Sequence, residues 1–350
     1  ETDTVARLGG DQFLVQVEAV AGEQALAAMA RNVLRAADAP LRVAGRDVVA
    51  SLSIGVALAG EYADDVDGLL KCADAAMRAA KLAGGSRHRA YEPQMEADHR
   101  QRLDLDLRLR RALERGEFFL VYQPIVDAEG RGVVALEALL RWADPERGVI
   151  SPADFIPLLE QSGLIVPVGR WTMHEACRRG RAWIAKGADD LVLSVNVSPR
   201  QFAEPDFVQT VAAVLAETGL PRGHLQLEVT EGILLEPTPQ TLHKIDALVA
   251  AGVRLAVDDF GMGYSSLAYL KRFPLHALKI DRMFVRDLPE QRQDAAIVRA
   301  IVDLGHGLGL HVTAEGVEEA DQFHELRLLG CDSMLGYLFA RPVAAAEMTG

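Results

Sequence analysis

The sequence predicts an α/β protein: a TIM-like (β/α)8 barrel with an antiparallel first strand, preceded by a smaller, partial α+β domain. Three observations carry that prediction. A chain of 350 residues is too long for one average domain. From residue 118 onward, apolar strand patterns alternate with amphipathic helical ones, the order that builds a barrel or a parallel sheet. The first two strands of that region have little more than Asp127-Ala128-Glu129-Gly130-Arg131-Gly132 to connect them. That is too short for a parallel crossover, so they should run antiparallel.

Taken in order, Val5 to Val17 should form a hairpin about Gly9-Gly10-Asp11, with Phe13 to Val17 alternating as a strand does. A helix over Ala25–Ala36, strands around Leu41–Val43 and Val48–Leu58, and a helix over Val66–Leu82 should follow, the last ended by Gly84-Gly85. The basic tract Ser86-Arg87-His88-Arg89 suits a solvated edge. Residues 93–115, with Leu103, Leu107, Leu109 and Leu113, suit an amphipathic linking helix. The barrel strands should be Phe118–Tyr122, Val133–Leu140, Leu191–Val197, Leu225–Val229, Arg254–Val257, Ala277–Ile280, His311–Ala314 and Met334–Phe339. Helical patterns run between most of them: Phe207–Leu215, Thr241–Ala250, Ser266–Arg272, Ala295–Leu308 and Asp321–Leu329. The expected domains are thus 1–92, a link over 93–115, and a barrel over 116–350.

Composition narrows the function. Hydrophobic residues make up 49% of the chain, enough for a sizeable core, and the net charge is −13. That charge argues against DNA, or an anionic membrane, as the main partner. An anionic substrate would need metal ions or local arginines and lysines. Cys72, Cys177 and Cys331 are isolated and odd in number, as expected of reduced thiols in the cytoplasm. No apolar run is long enough to cross a bilayer, and no signal peptide opens the chain. Because it starts on Glu1, it is expected to be the cytoplasmic part of a longer protein with an upstream sensor domain.

The chemistry-bearing residues collect where barrel strands end, which is where such barrels place their active sites. Glu137 lies in the second strand, Asn196 ends the third, and Glu228 with Glu231 ends the fourth. Asp258 and Asp259 end the fifth, Lys279 and Asp281 the sixth, and Glu315 the seventh. One Asp-Asp turn alone also fits a solvated helix cap. Carboxylates on successive strands converge, however, and their repulsion calls for cations. The donors are all oxygen, with no His-Glu-x-x-His or Cys-x-x-Cys, which suits Mg2+ or Mn2+ rather than Zn2+. Two ions sharing Asp258 would suit in-line displacement at phosphorus. Lys279 would add positive charge there, or simply pair with Asp281.

Two resemblances sharpen this reading. Arg7-Leu8-Gly9-Gly10-Asp11-Gln12-Phe13, Ser51-Leu52-Ser53-Ile54-Gly55-Val56-Ala57 and Ala73-Asp74-Ala75-Ala76-Met77 with Lys81 resemble the C-terminal half of a GGDEF (diguanylate cyclase) domain, over about residues 1–92. Gln12 stands where the family has its signature glutamate, and the half that carries a further metal-binding aspartate lies before Glu1. Asp3 matches the aspartate of the family's inhibitory product site, whose arginine would also precede Glu1. The resemblance therefore implies no cyclase activity for this piece.

From Gln123-Pro124-Ile125 through Glu137-Ala138-Leu139-Leu140-Arg141-Trp142, Val195-Asn196-Val197-Ser198, Glu228-Val229-Thr230-Glu231, Asp258-Asp259-Phe260-Gly261, Leu278-Lys279-Ile280-Asp281 and Ala314-Glu315-Gly316-Val317-Glu318, the chain resembles EAL-domain phosphodiesterases. These hydrolyse cyclic di-GMP to linear pGpG. By that resemblance Glu137, Asn196, Glu228 and Asp258 would hold one Mg2+ or Mn2+, and Asp258, Asp259 and Glu315 would approach a second. Lys279 and Glu315 would position the attacking water, and Gln123, Arg141, Asp281 and Pro342 would contact the nucleotide. Glu231 would brace the Asp258–Tyr264 loop, Glu318 would be structural, Ca2+ would inhibit, and a homodimer would be in keeping with the family. Leu335 stands where glutamine is common, which removes a hydrogen-bonding group near the site, and Met262 where a small residue is common. Two other functions fit part of the pattern. One is a cyclic di-GMP receptor with little turnover, favoured by Leu335 and Gln12. The other is a metal-assisted enolisation enzyme, against which stand the Asp-Asp pair and the asparagine ligand.

Overall fold

The computed structural model describes residues 3–18, 20–39, 41–43, 46–48, 50–63, 65–235, 238–261 and 270–348. The chain divides into two compact units, Glu1–Leu105 and Asp106–Gly350.

In the first unit, β1 (Thr4–Gly9) and β2 (Gln12–Gln16) form the expected antiparallel hairpin, with a register shift at Arg7–Gly9. Helix α1 (Glu23–Ala37) follows, then β3 (Leu41–Val43) and β4 (Arg46–Val48), paired antiparallel. The expected strand Val48–Leu58 is in fact the end of β4 and a separate β5 (Ser53–Val56). Helix α2 (Val66–Leu82) lies so close to β5 that any side chain at Gly55 would overlap the backbone of Ala73 and Met77. The basic tract is a solvated edge with a strand in it: β6 (Arg87–Ala90) pairs with β5 in parallel, turning Arg87 and Arg89 outward. Cys72, Ala75, Ala76, Tyr91 and Met95 make a small apolar core.

Helix α3 (Gln94–Ala112) occupies the expected link, but on a different face. Besides Met95 near its start, Leu105, Leu109 and Ala112 are buried at spacings of four and three, whereas Leu103 and Leu107 are exposed.

The second unit is a closed barrel of eight strands: β7 (Phe118–Asp127), β8 (Val133–Asp144), β10 (Val192–Val197), β11 (Leu225–Thr230), β12 (Arg254–Phe260), β13 (Ala277–Ile280), β14 (His311–Ala314) and β15 (Ser333–Met334). Strand β7 runs antiparallel to both its neighbours, β8 and β15, and the other barrel strands are parallel. The five-residue connection, 128–132, leaves no other solution. Short β9 (Gly148–Ile150) and β16 (Val343–Ala344) extend the sheet at β8 and β7. Helices α4 (Pro152–Ser162) and α5 (Ile165–Ile184), absent from the sequence-based expectation, fill the first crossover, and Pro152 sits at a helix start where a missing N–H costs nothing. Among the described residues the remaining α-helices are α6 (Pro199–Ala203), α7 (Phe207–Thr218), α8 (Glu231–Leu235), α9 (Pro239–Ala250), α10 (Arg292–Gly307) and α11 (Ala320–Leu329). Most of the expected helix Ser266–Arg272 lies outside the described residues, as do Met262 and Tyr264. The main core lies between strands and helices, where Leu193, Leu227, Val257, Leu278 and Val312 are buried against residues such as Val211, Ile245 and Val298.

The last strand is much shorter than the expected Met334–Phe339. After Met334 the chain turns onto the loop that follows β14: Leu335 N donates to Ala314 O, and Val317 N donates to Leu335 O. Gly336 then lies directly on the backbone of Val317, where a Cβ would overlap both its oxygen and its nitrogen. Two backbones cannot yield as side chains do, so Gly336→Ala should cost about 3 kcal/mol, the upper end of overpacking. Urea denaturation of the full chain measures this, and a variant as stable as the parent would contradict the close packing.

Candidate active site

Alternation along parallel strands turns every second residue into the barrel. Registers align these positions between neighbours: Ser194 lies opposite Glu137, Asn196 opposite Glu228, Thr230 opposite Asp258, and Gln123 opposite Glu137 on the antiparallel side. Strict alternation would send the adjacent residues Asp258 and Asp259 to opposite faces. The backbone avoids this. The β12–β13 pairing shifts register between Val257 and Phe260, and Asp259 has a φ of 52°, the left-handed region. That conformation costs a non-glycine residue on the order of 1 kcal/mol. It brings both carboxylates to one cluster.

At its centre lies Lys279, only 1% exposed. Its Nζ is 2.5 Å from Glu315 Oε1, 2.8 Å from Glu228 Oε2, 3.3 Å from Glu137 Oε2 and 3.6 Å from Asp258 Oδ1. Asn196 Nδ2 donates to Glu137 Oε1 at 2.8 Å. Asp258, Asp259 and Glu315 each offer an oxygen within 4.8 Å of the others, a grouping able to hold a metal ion. Burial pulls the Lys279 ammonium down, but four facing carboxylates outweigh it and hold it well above the usual lysine range. Burial raises Glu228 well above the usual carboxylate range, against the pull of Lys279. Burial and neighbouring carboxylates push Glu315 to about 8, and burial with Asp258 and Asp281 pushes Asp259 to about 6. These are the signs of more negative charge than one lysine can neutralise.

The remaining expected site residues fall around this ring. Glu231 Oε2 accepts from Gly261 N at 3.3 Å, at the start of the loop it is expected to brace. Gln123 Nε2 donates to Ala340 O at 3.3 Å, and Pro342 directly precedes β16, which pairs with β7 beside Gln123. Arg141 is half-buried, with Nη1 on Leu140 O at 2.8 Å. Asp281 Oδ1 caps the turn at Met283 N. Glu318 is exposed, outside the ring.

Leu335, whose backbone N–H donates to Ala314 O beside Glu315, carries its side chain into an apolar cluster. It is buried with Ile125, Ala135 and Val192, and the last two lie two residues before Glu137 and Ser194, hence one layer deeper in the barrel. Ser194 and Gln226, which are not among the expected residues, join the site from one side-chain step below Asn196 and Glu228. Ser194 Oγ bonds Glu228 Oε1 at 2.5 Å, and Gln226 Nε2 bonds Ser194 Oγ at 3.1 Å. The signal was available in the sequence: each sits two residues before a ligand candidate on its own strand.

Comparison with known proteins bears on both units. The EAL domain family matches residues 106–342, and the diguanylate cyclase GGDEF domain family matches residues 1–87. The chain is 42% identical over 346 residues to the bifunctional diguanylate cyclase/cyclic di-GMP phosphodiesterase MucR of Pseudomonas aeruginosa, covering 99% of this chain and 50% of MucR. It is 40% identical over 341 residues to the cyclic di-GMP phosphodiesterase PdeR of Escherichia coli, covering 97% of this chain and 51% of PdeR. The solved PaMucR phosphodiesterase in complex with c-di-GMP superposes with a TM-score of 0.69 at 46% identity, over 70% of this chain and 100% of that one. The chain thus spans about half the length of the curated relatives it matches.

Crowded carboxylates leave a pH signature in metal-free protein. Glu315 has a folded pKa above its unfolded value, so the stability it contributes is complete below about pH 4.5 and is lost as pH rises towards about 8. In chelator, melting temperature should therefore fall between pH 6.5 and 8, and Glu315→Gln should fall less steeply. Equal slopes in parent and variant would contradict the electrostatic reading.

Proposed function

The chain belongs to the EAL family, and on that footing we propose that it is a phosphodiesterase hydrolysing cyclic di-GMP to linear pGpG with Mg2+ or Mn2+. The observation that carries this reading is the ring of strand-end carboxylates closed around one buried lysine. The donor set fits such ions: every candidate ligand is a hard oxygen. Two buried oxygens, Glu228 Oε2 and Glu315 Oε1, also lack a hydrogen bond of normal geometry although both lie close to Lys279. We assign Glu137, Asn196, Glu228 and Asp258 to one ion and Asp258, Asp259 and Glu315 to the second. Bound there, the ions would neutralise charge on the phosphodiester and ready a water for attack.

The side chains do the rest. Lys279, held charged by its neighbours, presents an ammonium to the attacking oxygen and to charge developing at phosphorus. Glu315 stands beside it to help position the attacking water. The half-buried Arg141 guanidinium supplies planar donors for the anionic nucleotide, with Gln123, Asp281 and Pro342 bordering its place. Gln12, standing for the signature glutamate, removes a carboxylate from the N-terminal unit, so we propose no cyclase activity for it. Free, buried Cys72, Cys177 and Cys331 support a reducing, cytoplasmic setting. No helix among the described residues is long and apolar enough to cross a membrane.

The test is incubation of the 350-residue chain with cyclic di-GMP and Mg2+, Mn2+ or Ca2+ in turn. Conversion to pGpG is expected with the first two, and binding without conversion with Ca2+, a larger ion with looser geometry. Glu137→Ala should lower turnover by more than about 100-fold with the fold intact, since even supporting residues of metal sites cost 10- to 100-fold. Binding without turnover under both Mg2+ and Mn2+ would favour a receptor instead. Near-parental activity of Glu137→Ala would overturn the metal assignment.

A further inference from the structure

Beneath the ring lies a polar chain that the proposed mechanism does not use. Ser194 on β10 is fully buried. Its Oγ lies 2.5 Å from Glu228 Oε1 and 3.1 Å from Gln226 Nε2. Two oxygens at 2.5 Å need a proton between them, and once Glu228 is ionised, as ion binding requires, it has none to give. A serine hydroxyl has one proton and two lone pairs. Ser194 must therefore donate to Glu228, and its lone pair must receive the Gln226 amide N–H. The chain has one direction: Gln226 to Ser194 to Glu228. Because Oε1 is committed to Ser194, Oε2 is the oxygen turned to Lys279, at 2.8 Å, with no other hydrogen bond.

We propose that Ser194 is a positioning residue for divalent-ion binding. Oriented by Gln226, it fixes the Glu228 carboxylate plane so that one oxygen is occupied below the ring and the other is free for an ion above it. This rests on the metal-dependent reading given above. Its physical basis is that a ligand held in a single orientation loses little freedom when an ion binds. The strand register supplies the geometry. Ser194 faces Gln226 and Asn196 faces Glu228, so each residue of the supporting layer lies one side-chain step below a ligand candidate.

The test is Mn2+ binding to the full chain, followed by electron paramagnetic resonance of free Mn2+, with the Mn2+ dependence of cyclic di-GMP turnover measured beside it. Ser194→Ala should weaken Mn2+ binding about 10- to 100-fold, as loss of a ligand's supporting hydrogen bond typically does. Turnover at saturating Mn2+ and KM for cyclic di-GMP should return close to parental values. Ser194→Thr, which keeps the hydroxyl, should restore most of the binding. Gln226→Met, which frees the hydroxyl to rotate, should weaken Mn2+ binding about fivefold, the value of one neutral hydrogen bond. It serves as the decisive variant if Ser194→Ala does not fold. Mn2+ affinity within twofold of the parent in either variant, or Ser194→Thr no better than Ser194→Ala, would overturn the proposal. A parent chain that binds no Mn2+ would instead sink the functional reading on which it rests.

Discussion

One ammonium group inside the barrel faces four carboxylates, and the rest of the site follows from that imbalance. Glu137, Glu228, Asp258 and Glu315 all lie within 4 Å of Lys279 Nζ. Fully ionised, they exceed its single charge by three, with Asp259 adjacent. A buried ion cluster of this kind is not a device for stability, because desolvation consumes much of the Coulomb gain. It is a place that attracts further positive charge. In metal-free protein some of that charge comes as protons, because burial first, and neighbouring carboxylates after it, push Glu228 and Glu315 upward. Divalent ions would compete with those protons for the same oxygens.

Holding such a cluster requires backbone devices that cost energy elsewhere. A left-handed Asp259 and a register shift in β12 bring two consecutive aspartates to one side. An antiparallel β7 sets Gln123 opposite Glu137 and lets β16 dock beside it. Gly336 allows the last loop to close on the backbone after Glu315. Below the ring the interior changes character from side to side. Leu335, Ile125, Ala135 and Val192 plug one part with apolar surface, while Ser194 and Gln226 support Glu228 through hydrogen bonds.

Much of this was legible in the sequence, because its signals are local. Strand–helix alternation located seven barrel strands and touched the eighth only at Met334, and the short Asp127–Gly132 connection forced the reversed first strand. The residue types at strand ends announced an oxygen-rich site, and the ordered motifs gave the family. What stayed hidden depends on non-local packing or on backbone conformation. Nothing in the string Asp258-Asp259 shows that the second residue is left-handed. The end of β15 at Met334 is set by the loop after Glu315, a contact made across the barrel. Helix α3 offers leucines on two faces, and only packing selects Leu105 and Leu109 over Leu103 and Leu107. Likewise, nothing local to Leu335 shows that its side chain packs with Ile125, Ala135 and Val192.

The central claim is that Lys279 balances charge that would otherwise repel. Lys279→Met keeps the length of the side chain and removes the ammonium, so its unfolding in chelator measures that balance most directly. Stranding buried carboxylates should cost about 3–5 kcal/mol at neutral pH, with part of the loss recovered on adding Mn2+. A metal-free variant as stable as the parent at neutral pH would contradict the account.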